Sequence, residues 1–178
     1  MTKKKLLFIG FSIFLLILLV GFLFFRFYVH TNSYRVFYVE KNTGLSLPKP
    51  TSISYQNTHG GFHGDGETLI RLHFHEKDTL NILSQIAIDE NWNSFPLSEN
   101  LSLMFYGGEK DGVTYSYNLA KEFELPMVEN GYWYFKNRSK QAQEKQKDTE
   151  LFAFYSYNFT TAFFDKTTNT LYYFEYDT

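Results

Sequence analysis

The chain contains no cysteine. That excludes disulfides, thiolate metal sites, a cysteine nucleophile and the lipid-modified cysteine of a bacterial lipoprotein. Proline is scarce, with only 4 in 178 residues, and Pro48 and Pro50 lie close enough together to mark a break. No internal repeat or low-complexity tract occurs, so the length suits one domain plus an accessory segment. No G-x-S-x-G elbow is present, and no other serine sits in a comparable nucleophile motif.

What the chain has in quantity is aromatic side chains, 20% of its residues, with 14 Tyr and 20 Phe. Flat rings pack well on a pleated surface, and such a content is foreign to disordered chains. A folded, β-rich domain is expected.

The second abundance is local. Leu6 to Phe25 runs for twenty residues without a charge. At a rise of about 1.5 Å per residue this helix spans roughly 30 Å, the thickness of the hydrocarbon layer. Seventeen of the twenty are Leu, Ile, Val or Phe, and at about 0.3 to 0.6 kcal/mol each they favour insertion by roughly 5 to 10 kcal/mol. A cleaved signal peptide would have a shorter apolar core and a small-residue cleavage site, whereas "RFYVH" follows here. Lys3, Lys4 and Lys5 precede the run and Arg26 follows it, so the positive-inside bias orients the N-terminus to the cytoplasm. The expected organisation is a cytoplasmic N-terminus at 1–5, a single-pass signal anchor in the cell membrane at 6–28, a juxtamembrane stem and linker at 29–51, and an extracytoplasmic domain at 52–178. Setting aside those three lysines and Arg26 leaves 13 of the 17 basic residues against 19 acidic ones. An acidic exterior argues against nucleic acid or anionic lipid as a partner.

Along the chain, Val36 to Val39 forms a short apolar patch suited to a strand or stem. Ile53 to Gln56 and the alternating run Leu69 to His75 read as paired strands joined by a glycine-rich loop. Leu80, Leu83, Ile86 and Ala87 recur at helical spacing, which predicts one amphipathic helix over Asp78 to Glu90 with Asp78 or Thr79 as its cap. Strands are expected again at Leu101 to Tyr106, Val113 to Asn118 and, after the Asn130-Gly131 turn, through Phe135. The polar run after Phe135 reads as a mobile loop, with helix as the alternative for its middle. The C-terminal end is a hairpin, with Tyr155, Tyr157, Phe159, Thr161 and Phe163 on one face and Tyr172, Phe174 and Tyr176 on one face of the return strand. The fold class is therefore α+β: a transmembrane helix, then an antiparallel sheet with one packed amphipathic helix.

The loop "NTHGGFHGDGE" concentrates candidate chemistry. His59, His63 and Asp65 supply imidazoles and a carboxylate suited to a divalent metal. Against this, the glycines between them rule out a helix on which positions four apart share a face, so the simpler reading is a glycine-shaped connection whose His59 and Asp65 bond loop backbone. A phosphate nest would lack its Lys and Ser/Thr, and the loop leads into a strand. The run "YWYF" offers a second candidate, with Tyr132 and Trp133 as a protein-binding platform; core and cross-strand packing is the plainer use of such rings.

With "HGGFHGDGE", "NGYWYF" and the ending "LYYFEYDT" the chain resembles small, single-pass membrane-anchored proteins of unknown function from low-GC Gram-positive bacteria. The resemblance spans most of Ser52 to Thr178, implies a cell-envelope location and transfers no activity or cofactor. The function expected is a non-enzymatic, membrane-tethered module that binds a protein partner, with toxin immunity as one form. The alternative is a metal-assisted hydrolase or metal-binding protein that uses the His/Gly/Asp loop.

Overall fold

From Lys3 to Tyr28 the backbone is one α-helix, α1, in a computed structural model that describes residues 3–60 and 64–178. Its stretch Gly10–Tyr28, 19 residues, is long and apolar enough to cross a membrane, and none of it is buried within the protein. The chain divides into two compact units, the first ending at Tyr38 and the second running from Val39 to Thr178.

A second helix, α2 (Asn32–Thr43), follows a tight joint. The Val36 to Val39 patch, expected as a strand or stem, lies inside it. Helical spacing explains the difference, because Val39 and Thr43, four apart, are both buried on one side of α2.

The second unit is built on a six-stranded sheet. Its strands are β1 (Ser52–Asn57), β2 (Gly66–His73), β3 (Trp92–Ser94), β6 (Gly131–Asn137), β7 (Asn158–Asp165) and β8 (Thr170–Asp177), with β4 (Gly108–Lys110) and β5 (Val113–Tyr115) forming a separate small ribbon. The order is β1-β2-β8-β7-β6-β3, and all pairs are antiparallel. The expected C-terminal hairpin is β7–β8, and it occupies the middle of the sheet. The α+β architecture is as the sequence predicts.

Both faces of the centre are covered. On one, Phe159, Phe163, Tyr172 and Phe174 meet α4 (Glu99–Tyr106) and the single turn α5 (Leu119–Glu122) through Leu101, Met104, Phe105, Leu119 and Phe123. Phe105 lies edge-on to Phe163 at 5.1 Å and to Phe174 at 5.5 Å, the arrangement that aromatic quadrupoles favour. On the other, Ile70, Leu72, Ala162, Phe164, Leu171 and Tyr173 are buried as well. There the helix α3 (Glu76–Ile86) leaves a shallow cleft between Leu83 and Phe164, and the Tyr134 hydroxyl donates to the Asn42 carbonyl at 3.0 Å.

Several expectations need correction. Leu101 to Tyr106 is the helix α4, not a strand: Ser98 caps it by accepting the Leu101 N–H at 3.2 Å, and Gly107, at φ 71°, ends it. More than one helix therefore packs on the sheet. The expected helix exists as α3 but starts at Glu76, ends at Ile86 and is rotated: it buries Thr79, Ile82 and Ile86 and leaves Leu80 72% exposed. Thr79 turns inward at little cost because its hydroxyl donates to the Glu76 carbonyl at 2.7 Å. The polar run after Phe135 is pinned rather than loose, since Asp148 accepts from the Ser98 hydroxyl and its carbonyl from the Asn100 amide at 2.9 Å, while Leu151 is buried.

Ile82→Ala should therefore lower the unfolding free energy of the detergent-solubilised chain by about 2 to 5 kcal/mol, and Leu80→Ala should change it by no more than about 0.5 kcal/mol. Equal losses in the two denaturation curves would show that α3 presents a different face.

Candidate functional site

The β1–β2 connection owes its shape to short-range bonds. Thr58 N–H donates to the Glu67 carbonyl at 2.9 Å, the Thr58 hydroxyl bonds the Glu67 carboxylate, and Gly60 N–H donates to the Asp65 carbonyl at 3.2 Å. Asn57 acts at both ends, accepting the His59 N–H at 3.0 Å and donating to the Thr68 hydroxyl at 2.8 Å. Gly66 is required, because at φ +147° an added Cβ would lie 2.5 Å from the His59 Cα and N.

This turn aims the His59 ring at the last strand. Its Nε2 lies 3.0 Å from Asp177 Oδ2 and its Nδ1 lies 3.3 Å from the Thr68 hydroxyl, so both ring nitrogens are engaged. Asp177 in turn lies 2.8 Å from Arg138 Nη2, which also donates to the Phe159 carbonyl at 3.1 Å. The three side chains are 22%, 18% and 29% exposed in the order His59, Asp177, Arg138, a depth at which a charge needs a partner. One turn of the pleat inward, Glu175 is buried and accepts from the Tyr173 hydroxyl at 2.5 Å and the Thr160 hydroxyl at 3.4 Å. Burial alone would lower the Arg138 pKa, but the bond to Asp177 and the fields of Glu175 and Asp177 raise it above the ordinary guanidinium value. Arg138 Nε is buried and carries no hydrogen bond among the described residues.

No protein-family model matches this chain, and no curated protein or solved structure does either.

Of the three loop residues singled out for metal, His59 is held in this network, Asp65 is exposed and uses its carbonyl within the loop, and His63 lies outside the described residues. Among the described residues no three His, Asp or Glu side chains are grouped to hold an ion. A cation beside Asp177 would face the Arg138 guanidinium. Arranged so, the cluster is suited to holding the loop, the end of β6 and the end of β8 together. Acid–base work by His59 would require breaking one of its two ring contacts.

The second candidate pair separates across the sheet. Trp133 is only 8% exposed and donates its indole N–H to the Ser94 and Pro96 carbonyls at 3.1 and 3.2 Å, so its ring belongs to the core. Tyr132 points to the opposite face, half-buried, with Lys166 Nζ 5.9 Å from its ring centre. An open, mostly apolar cleft is lined by Phe95, Leu97, Tyr106, Met127, Val128 and Glu129.

Sequence reasoning found His59 but missed Asp177 and Arg138. His59 and Asp177 are 118 positions apart, and no local spacing encodes such a contact. Asp177→Ala strands the Arg138 guanidinium and frees the His59 ring, and should cost about 1 to 3 kcal/mol in urea denaturation. Gly66→Ala should also destabilise by forcing the loop off its path. Unaltered stability in both would mean that the loop is not held by this network.

Proposed function

We propose that the chain is a single-pass protein of the cell membrane, N-terminus in the cytoplasm, whose extracytoplasmic domain is a non-enzymatic module that binds a protein partner by accepting an extended segment along β1. The anchor part rests on α1 and on the lysines before it. The absence of native cysteine makes a direct assay simple: Ser116→Cys, at an exposed position, should react with a membrane-impermeant maleimide on intact cells. Labelling only after lysis would reverse the orientation.

The observation that carries the binding part is the sheet edge. β1 is the outermost strand, five of its six residues are exposed, and "SISYQN" holds neither a charge nor a proline. Natural edges are usually guarded by charges, prolines, bulges or brevity, and the opposite edge, β3, has only three residues. A long unguarded edge is a template for strand addition, in which main-chain bonds supply affinity and alternate side chains supply selectivity. The register fixes which groups are offered. Thr58 donates to Glu67 in line with the β1–β2 pairing, so alternate residues from Ser52 to Thr58 bond inward, and the backbone groups of Ile53 and Asn57 point to the open side. Tethering raises the effective concentration of this edge near other membrane proteins. A toxin-neutralising immunity role is one form such binding takes.

The metal-assisted alternative rests on ligand density in the loop, and no further observation favours it. Ile53→Pro separates edge binding from fold. It removes an outward N–H while leaving the bonds to β2 in place. Photocross-linking in native membranes should recover a partner with the wild type and lose it with Ile53→Pro at unchanged melting temperature. Recovery that survives the proline would rule out the β1 edge.

A further inference from the structure

The joint between α1 and α2 is built around one hydroxyl. Thr31 Oγ1 donates to the Tyr28 carbonyl, in the last turn of α1, at 2.7 Å, and accepts the Tyr34 N–H, in the first turn of α2, at 3.2 Å. Thr31 N–H also donates to the Tyr28 carbonyl at 2.9 Å. A threonine in this position caps α2 and satisfies the end of α1 together, so only three residues separate the two helices.

Rings then mark the depth of α2. Tyr34 lies edge-on to Tyr28 with centroids 5.6 Å apart, and Phe37 is 6.4 Å from Tyr34. Tyr34, Phe37, Tyr38 and Lys41 recur at the spacing of one helical face, and Val39 and Thr43 on the other side are buried. Phe37 is 50% exposed, Phe27 is 74% exposed and Tyr28 is 38% exposed. Arg26 and Lys41, also exposed, flank this aromatic row.

Resting on the membrane-anchor reading above, we infer that the first turns of α2 lie in the headgroup layer on the side where α1 leaves the bilayer, with Tyr34 and Phe37 extending the aromatic belt begun by Phe27 and Tyr28. The occupant of this face is phospholipid. Continuity with the span is the reason. The headgroup layer is roughly 5 to 8 Å deep on each side, and two ring contacts of 5.6 and 6.4 Å link Phe37 to the last residue of α1. Tyrosine and phenylalanine at that level bury their apolar bodies, while Arg26 and Lys41 reach the phosphates. The attraction is aromatic more than electrostatic, so it operates on neutral lipid and agrees with an acidic domain beyond it.

The cysteine-free chain allows single-site probes. Ser33→Cys, four residues before Phe37 on the same side of α2, would carry an environment-sensitive fluorophore in phosphatidylcholine vesicles, with Leu16→Cys as a control in the span. The Ser33 probe should lose emission to a quencher attached near the lipid headgroup, and adding Phe37→Ser should reduce that loss. The Leu16 probe should respond to a quencher placed deep in the acyl chains. A Ser33 probe reached only by aqueous iodide, with Leu16 quenched from the lipid, would overturn the interfacial helix and leave the anchor standing. A Ser33 probe shielded from both quenchers would mean that protein, a second copy included, covers the face, and would also overturn it. A Leu16 probe untouched by either lipid quencher would remove the anchor and the interfacial helix together.

Discussion

Burial of the β7–β8 hairpin on both of its faces is the constraint from which the rest of the domain follows. A two-stranded ribbon is marginal alone, yet here nearly every residue of both strands is inaccessible to water. One face, itself rich in phenylalanine, demands an apolar layer, which α4 and α5 supply; the other accepts α3 and the end of α2. Each fully buried ring or large aliphatic side chain contributes about 1.5 to 3 kcal/mol. The outer strands then need only extend a sheet whose centre is already protected, which is why β1 and β3 can remain largely exposed.

Legibility in the sequence tracked how local each determinant is. The β7–β8 hairpin could be read because the period of two is sustained and a turn separates its halves. The apolar span could be read because length alone decides it. α3 showed the right period with a shifted phase: Ile86 faces inward as its spacing suggests, but Thr79 and Ile82 join it there while Leu80 is exposed, because tertiary fit overrules the preference for leucine at the core. α4 was mistaken for a strand because "LSLMFY" is too short for periodicity to separate helix from strand. Its flanks held the answer, a serine able to cap at position 98 and a glycine suited to positive φ at 107.

The loop cluster was half legible. Its glycines announced a shaped connection, and His59 stood out by chemistry. Its partners come from elsewhere in the chain: Asp177 ends β8, which the sheet order sets beside β2, and Arg138 follows β6, one strand further on beyond β7. The result is a closed set of charges at the margin of the domain, where a carboxylate shared by an imidazole and a guanidinium ties the first hairpin to the final strand. Such an arrangement fixes position more readily than it performs chemistry, since the Asp177 carboxylate and both His59 ring nitrogens are already engaged.

The strand order also bears on the timing of assembly. β8, the last strand of the sheet to be synthesised, lies between β2 and β7, so no continuous sheet can form until it arrives. Before that moment β2 and β7 have no shared neighbour, and the contacts awaiting them are distant in sequence, a topology that folds slowly. Closure would come as one late, cooperative event, with the His59–Asp177 contact forming only after the final strand has docked.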